Sequence, residues 1–244
     1  VLRGAAGRGI RAADYTERFI SNNLPGPLTP GRNLGNPNLE AERSWTYEAG
    51  FDYYPVNGMR VVATVFRRSA TNLIDYVITN SGNIGNNENL ETDAEYFYAT
   101  NISDAATSGF ETEFWAEKSL GRNSSLTSTI GYTYLNTGSP SGEVSKYIAS
   151  HANSLFTAGI TLDVGGFNMG INGLYKIRDK EKTEEINSEL ESSYLVFNAR
   201  ASYRVFGNLN ILVQALNVFN EQYSDILGAR MPGRWFAAGL RWKF

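Results

Sequence analysis

Cysteine is absent from the 244-residue chain, and histidine occurs once, at His151. The first absence rules out a disulfide scaffold and any thiolate metal site. Long hydrophobic runs are missing too: no stretch approaches the roughly 18 apolar residues of a membrane-spanning helix, so a helical membrane protein is excluded. A β-barrel survives that test, because its spans are only about 9–11 residues long and half of each is polar. The start, VLRGAAGRGI, has neither the basic lead nor the apolar centre of a signal peptide. Charge of one sign is also lacking: the formal net charge is −3 and the basic residues are scattered, so no nucleic-acid partner is expected.

What the chain does have is 14 Tyr, 13 Phe, 4 Trp and 24 Gly. Aromatic and glycine enrichment with period-two patterning is a β signature. The last stretch, GRWFAAGLRWKF, shows it most plainly. Phe236, Ala238, Leu240, Trp242 and Phe244 fall on one face of a strand, and Trp235, Ala237, Gly239, Arg241 and Lys243 on the other. Trp45, Tyr47, Ala49, Phe51 and Tyr53 likewise alternate with Thr46, Glu48, Gly50 and Asp52. Further strands are read from Met59 to Ser69, continuing toward Thr79 with its faces unassigned because Val61, Val62, Val65 and Phe66 fall on both; around Gly109–Glu117; and from Leu126 to Tyr134, Phe156 to Leu162, Phe167 to Ile177, Leu195 to Arg204 and Leu209 to Val218. Val1 to Arg8 reads as the tail of a strand. Gly9 to Arg43, with Pro25, Pro27, Pro30 and Pro37, reads as a loop, and the charge run Asp179–Glu191 as a solvated loop rather than a short helix.

The connections sort into two rims. Tight turns fall near Pro55, Gly121, Gly165 and Gly207, and long polar loops alternate with them near Pro25, Asn86, Gly142, Glu185 and Asp225. Outer-membrane barrels have this asymmetry, with short periplasmic turns and long extracellular loops. The expected fold is therefore all-β: a transmembrane antiparallel up-and-down β-barrel segment of about ten strands. Trp45, Tyr53, Phe236 and Trp242 would sit in interfacial girdles. Glu48, Asp52, Glu111, Glu113, Glu117, Arg200, Arg204, Arg241 and Lys243 would line a hydrated bore.

Chemical motifs are thin. His151 has Ser154 and Asp163 near it in sequence, but Asp163 is a strand length away, so no catalytic triad follows. The glycines of GAAGRG lack the Lys-Ser/Thr of a phosphate loop. Asn80–Glu95 offers oxygen ligands without a calcium-binding spacing and reads as a solvated loop. Neither catalytic residues, nor a metal, nor a cofactor is expected.

Several segments occur in an order that resembles a TonB-dependent outer-membrane receptor of the cobalamin and siderophore branch: GRGIRAADYTERF, GNPNLEAERSWTYEAGFDYY, NLIDY, TSGFETEF, ALNVFNEQYSD and MPGRWFAAGLRWKF. The resemblance implies a bacterial outer-membrane barrel of about 22 strands filled by an N-terminal plug. It implies import of a scarce small-molecule ligand, of cobalamin or iron-siderophore type, with energy from the TonB complex acting through the plug. This chain would be the C-terminal barrel portion, residues 1–244, without plug, TonB box or N-terminal strands. Its partners would be outer-membrane lipid and the barrel-assembly machinery, for which Phe236, Leu240, Trp242 and Phe244 resemble the assembly signal. Ligand contacts would come from the long-loop rim, with Arg11, Tyr15, Arg178, Tyr223, Arg230 and Arg234 as candidates on position alone. The alternatives are a self-contained barrel acting as an enzyme or adhesin, or a barrel fragment that is a folding client of the assembly machinery.

Overall fold

The computed structural model describes residues 1–21, 24, 26–85, 88–138, 146–185 and 190–242. In chain order its strands are β1 (Leu2–Arg11), β2 (Asn33–Leu34), β3 (Glu42–Tyr53), β4 (Met59–Asn80), β5 (Glu95–Gly121), β6 (Ser124–Gly138), β7 (Ser154–Val164), β8 (Phe167–Ile177), β9 (Ser193–Phe206), β10 (Leu209–Leu216), β11 (Ser224–Ile226), β12 (Ala229–Arg230) and β13 (Trp235–Trp242). Among the described residues three short α-helices interrupt them, α1 (Tyr15–Phe19), α2 (Lys146–Ser150) and α3 (Lys180–Glu185), with one 3-10 turn at Ser81–Asn83. The main sheet runs β1-β3-β4-β5-β6-β7-β8-β9-β10-β13, every neighbour antiparallel. It is an open ten-strand meander: among the described residues, β1 and β13 each have one partner strand along this path.

Residues directly opposite in an antiparallel pair share a face, so the register decides which side chains travel together. Leu240 lies opposite Ile211, and Ile211 opposite Tyr203. Tyr203 lies opposite Phe167, and Phe167 opposite Val164. Another row runs Phe51–Ala63–Thr112–Tyr132–Phe156–Tyr175–Leu195. With Leu2 of β1 opposite Phe51, these rows form one apolar face across all ten strands. Along it Phe110 meets Tyr132 edge-on with ring centroids 5.5 Å apart, and Tyr132, Phe156 and Tyr175 stack in turn at 4.4 and 6.3 Å. The opposite face carries Arg3, Glu48, Asp52, Arg60, Glu111, Glu113, Glu117, Arg200, Arg204 and Arg241 among threonines and glycines. Lys243 and Phe244 lie outside the described residues.

The ambiguous β4 is resolved by this register. Val61 and Val65 pair with Phe114 and Phe110 on the apolar face, whereas Val62 and Phe66 pair with Glu113 and Gly109 on the polar one. Gly109 has to be glycine: a Cβ there would meet the carbonyl of Tyr134 and come within 2.9 Å of the Phe66 ring. At the turn between β3 and β4, Gly58 adopts φ 80°, and a Cβ there would lie 2.5 Å from the carbonyl oxygen of Glu117.

The span has no hydrophobic core between layers among the described residues. Among the described residues the buried apolar side chains belong to the long-loop end: Leu28, Leu34, Leu39, Ile74, Tyr76, Ile84, Tyr96, Ala99, Ile148, Val196 and their neighbours. There β4 and β5 outrun both flanking strands, pairing as far as Asn80 and Glu95. The described residues between 13 and 39 cover both faces of that extension. One cluster joins Leu39, Ile74, Tyr76 and Ala99, the other Leu28, Leu34, Ile84 and Tyr96, with β2 pairing parallel to β5.

Three readings of the loops are corrected. β1 continues through Arg11, so the stretch from Gly9 is not all loop. It also contains α1, set by a capping box in which the Asp14 carboxylate accepts from Glu17 N–H and the Glu17 carboxylate accepts from Asp14 N–H. The charge run after β8 opens with α3 because the Asp179 side chain accepts from Glu181 N–H and Lys180 pairs with Glu184 one turn on. No helix among the described residues is long and apolar enough to cross a membrane.

Candidate functional site

All four tight turns lie at one end of the sheet, and the strand ends joined by the long connections lie at the other; Pro25, Asn86 and Gly142, named above as loop centres, lie outside the described residues. At the long-loop end the polar face of the sheet opens into two adjoining cavities that share His151.

The first cavity, about 410 Å³, is floored by a charge cluster at the tops of β1, β3 and β4. Glu42, buried at 3% exposure, receives Arg11 at 3.1 Å and Arg68 at 2.6 Å, and Arg11 also holds Glu17 of α1 at 2.8 Å. Arg11 is thereby spent on joining α1 to the barrel wall. Tyr15 is exposed on α1 and packs on Phe19, with ring centroids 5.1 Å apart.

The second cavity, about 550 Å³, lies between the wall formed by β6–β9 and the final loop, residues 217–234. Leu155, Leu174, Ile226 and Met231 line it with Lys176, Tyr194, Tyr223 and Asp225. Lys176 and Tyr194 are register partners on β8 and β9, so the sheet sets their spacing. Both donate to the same oxygen, Asp225 Oδ1, each at 2.8 Å. Just past the end of β8 the Arg178 side chain is wholly buried. It donates to the carbonyls of Ser150 (3.1 Å), Glu191 (2.8 Å), Ser224 (2.8 Å) and Asp225 (2.9 Å), tying three loops together, with its guanidinium 5.2 Å from the Tyr194 ring centroid.

The electrostatics follow from these contacts. The hydrogen bond from Lys176, helped by Tyr194 and the charge of Arg178, holds the Asp225 carboxyl below its ordinary range against the opposing effect of burial. Burial and then the Asp225 charge raise the Tyr223 phenol. Burial, then the cations Lys176 and Arg68, lower His151, which is neutral at pH 7. A depressed carboxyl stabilises the folded loop above its unfolded-state pKa, and that contribution is lost as pH falls through the depressed value. The loop is therefore expected to resist protease equally at pH 7 and pH 5 and to loosen only below about pH 4. Limited proteolysis of the native protein over that range is the check.

Of the six rim candidates, the structure brings Arg178, Tyr223 and Arg230 together. Tyr223 packs on Tyr194 with ring centroids 4.3 Å apart, and Arg230 lies opposite Ser224 in the β11–β12 hairpin. Arg11, on β1, lines the first cavity instead, Tyr15 is on α1, and Arg234 is at the base of the last loop, donating to the Val218 carbonyl at 3.3 Å. Sequence reasoning passed over Lys176, Tyr194 and Asp225, whose meeting depends on the β8–β9 register. Ser154 and Asp163 sit at opposite ends of β7, on the order of 30 Å apart. Ser154 contacts Tyr132 and Asp163 contacts Asn168, so no triad assembles. In the Asn80–Glu95 stretch the Asn80 side chain accepts from Gly82 N–H. No group of three His, Asp or Glu side chains converges among the described residues. Phe236, Leu240 and Trp242 lie on the apolar face, at 71%, 74% and 52% exposure.

An apolar outer face, a charged inner face, one rim of turns and one of long loops define a bacterial outer-membrane β-barrel. More narrowly, the chain belongs to the TonB-dependent receptor β-barrel family, whose model, described as TonB dependent receptor-like, beta-barrel, matches residues 1–220. A search of curated proteins finds no match. Among solved structures the chain is similar to the copper transporter OprC, with TM-score 0.67 and 16% identity over 100% of this chain and 36% of that one. It is also similar to the siderophore receptor PirA of Pseudomonas aeruginosa, with TM-score 0.60 and 17% identity over 98% of this chain and 39% of that one. A mutant form of the ferric enterobactin receptor PfeA of Pseudomonas aeruginosa matches with TM-score 0.62 and 18% identity over 100% of this chain and 38% of that one. The chain thus spans less than half the length of the receptors it matches.

Proposed function

We propose that residues 1–244 form the C-terminal part of a TonB-dependent receptor barrel that carries a scarce small molecule inward across the outer membrane. The ligand is of iron-siderophore or cobalamin type. The observation that carries this reading is the separation of faces: a continuous apolar wall for lipid, and a charged wall leading down from two cavities at the long-loop mouth. In lipid an unpaired strand edge is not tolerated, so the open edges of β1 and β13 pair with further strands of the same receptor. TonB acts through the receptor's plug, and the assembly machinery takes the last strand through Phe236, Leu240, Trp242 and Phe244.

The test is uptake of labelled cobalamin and of iron-loaded siderophores by cells with and without the full receptor, each with and without TonB. Uptake of one of them that needs both proteins is expected. Uptake of every compound independent of receptor and of TonB overturns the reading.

A further inference from the structure

We propose that Lys176 and Tyr194 form an anion subsite for the carboxylate of an aromatic acid, and that the chain's own Asp225 occupies it as an internal competitor. This deepens the transport reading and rests on it only in taking the second cavity as open to ligand.

The two donors are fixed in the wall, and the acceptor is replaceable. Lys176 and Tyr194 are adjacent in the β8–β9 register, and the Lys176 side chain is 12% exposed, so the donors belong to the wall. Asp225 comes from the final loop, and its side chain is 49% exposed although both donors converge on its Oδ1 at 2.8 Å. A carboxylate reaching over a cavity to fill a cation-and-phenol cradle occupies the place that a ligand's carboxylate would take. The loop need not unfold to allow the exchange. Arg178 holds it through the carbonyls of Ser224 and Asp225, not through the carboxylate alone. Releasing the carboxylate frees the tip while the anchor stays. The rest of the cavity says what accompanies the anion: Leu155, Leu174 and Met231 are apolar, and Tyr223 lies with its ring 4.3 Å from that of Tyr194. An aromatic body fits these walls, and a volume of about 550 Å³ admits a two-ring molecule.

The experiment uses the full receptor in detergent, with 2-naphthoate as fluorescent probe and neutral 2-naphthalenemethanol as control. Asp225→Asn is expected to tighten naphthoate binding roughly fivefold, the factor that goes with removing one charge-assisted competitor at a partly exposed site. Lys176→Met is expected to weaken it by a similar factor, and the alcohol should respond to neither change. Residues 1–244 hold no cysteine, so with any cysteine elsewhere in the receptor replaced by serine, Ile226→Cys also reports the loop tip. Naphthoate should speed its labelling by a charged maleimide, and the alcohol should not. Weaker binding in Asp225→Asn as well as Lys176→Met, or no difference between acid and alcohol, overturns the proposal. If a variant misfolds, the labelling response of the otherwise unchanged receptor still decides. TonB-dependent uptake is measured separately, so transport can stand while this subsite fails, and the reverse.

Discussion

Arg178→Met is expected to loosen the long-loop rim by about 3–5 kcal/mol, the range seen when one partner of a buried charged network is removed. The guanidinium fills a space closed to solvent and donates four hydrogen bonds, to Ser150, Glu191, Ser224 and Asp225. Each carbonyl left without a donor costs about 1–3 kcal/mol where water does not reach it, and partial hydration brings the sum down. Arg178→Lys should recover only part of the loss, since one ammonium cannot span acceptors arranged around a planar fork. The measurement is pulse proteolysis of the native receptor, read at the final loop, together with the melting temperature. Unchanged protease resistance in Arg178→Met would show that the loops hold without it. Loss of ligand uptake at full rim stability would instead make Arg178 a ligand contact, as its place in the sequence had suggested.

That contrast marks what the sequence could and could not convey. Period two makes faces legible wherever one side is polar, as in Trp45–Tyr53 and Phe167–Ile177, and β8 ends where the alternation does. It fails at β4, where valine and phenylalanine occur on both faces; there the inward Phe66 covers a glycine on the neighbouring strand, a relation that only register reveals. β1 was barely visible because Gly4, Ala5, Ala6, Gly7 and Gly9 give alternation nothing to act on. α1 had a readable signal in Asp14 and Glu17, the two acids of its capping box, hidden by the prolines downstream. The site was legible only as a rim. An arginine near a loop looks the same in sequence whether its head is free, like Arg230, or enclosed, like Arg178. The donors that meet at Asp225 come from residues 176, 178 and 194, a convergence set by strand pairing and not by spacing.

The assignment of faces makes its sharpest demand at two adjacent residues in the middle of β6. Ile130 lies between Phe114 and Ala158 in the apolar row and is 58% exposed, a value that would be costly in water and is natural against acyl chains. Thr129 lies between Trp115 and Gly159 on the other face, diagonal to Glu113 and Glu117. Ile130→Arg places a cation near the middle of the bilayer and is expected to destabilise the folded barrel by about 2–4 kcal/mol. Thr129→Arg, one residue away, meets water and two carboxylates and is expected to change stability by less than about 1 kcal/mol. Folding of the full receptor into lipid vesicles, titrated with denaturant, separates the two variants. Equal losses, or the larger loss at Thr129, would place the apolar row inside the barrel. The charged wall would then face outward and there would be no hydrated bore through which to carry a ligand.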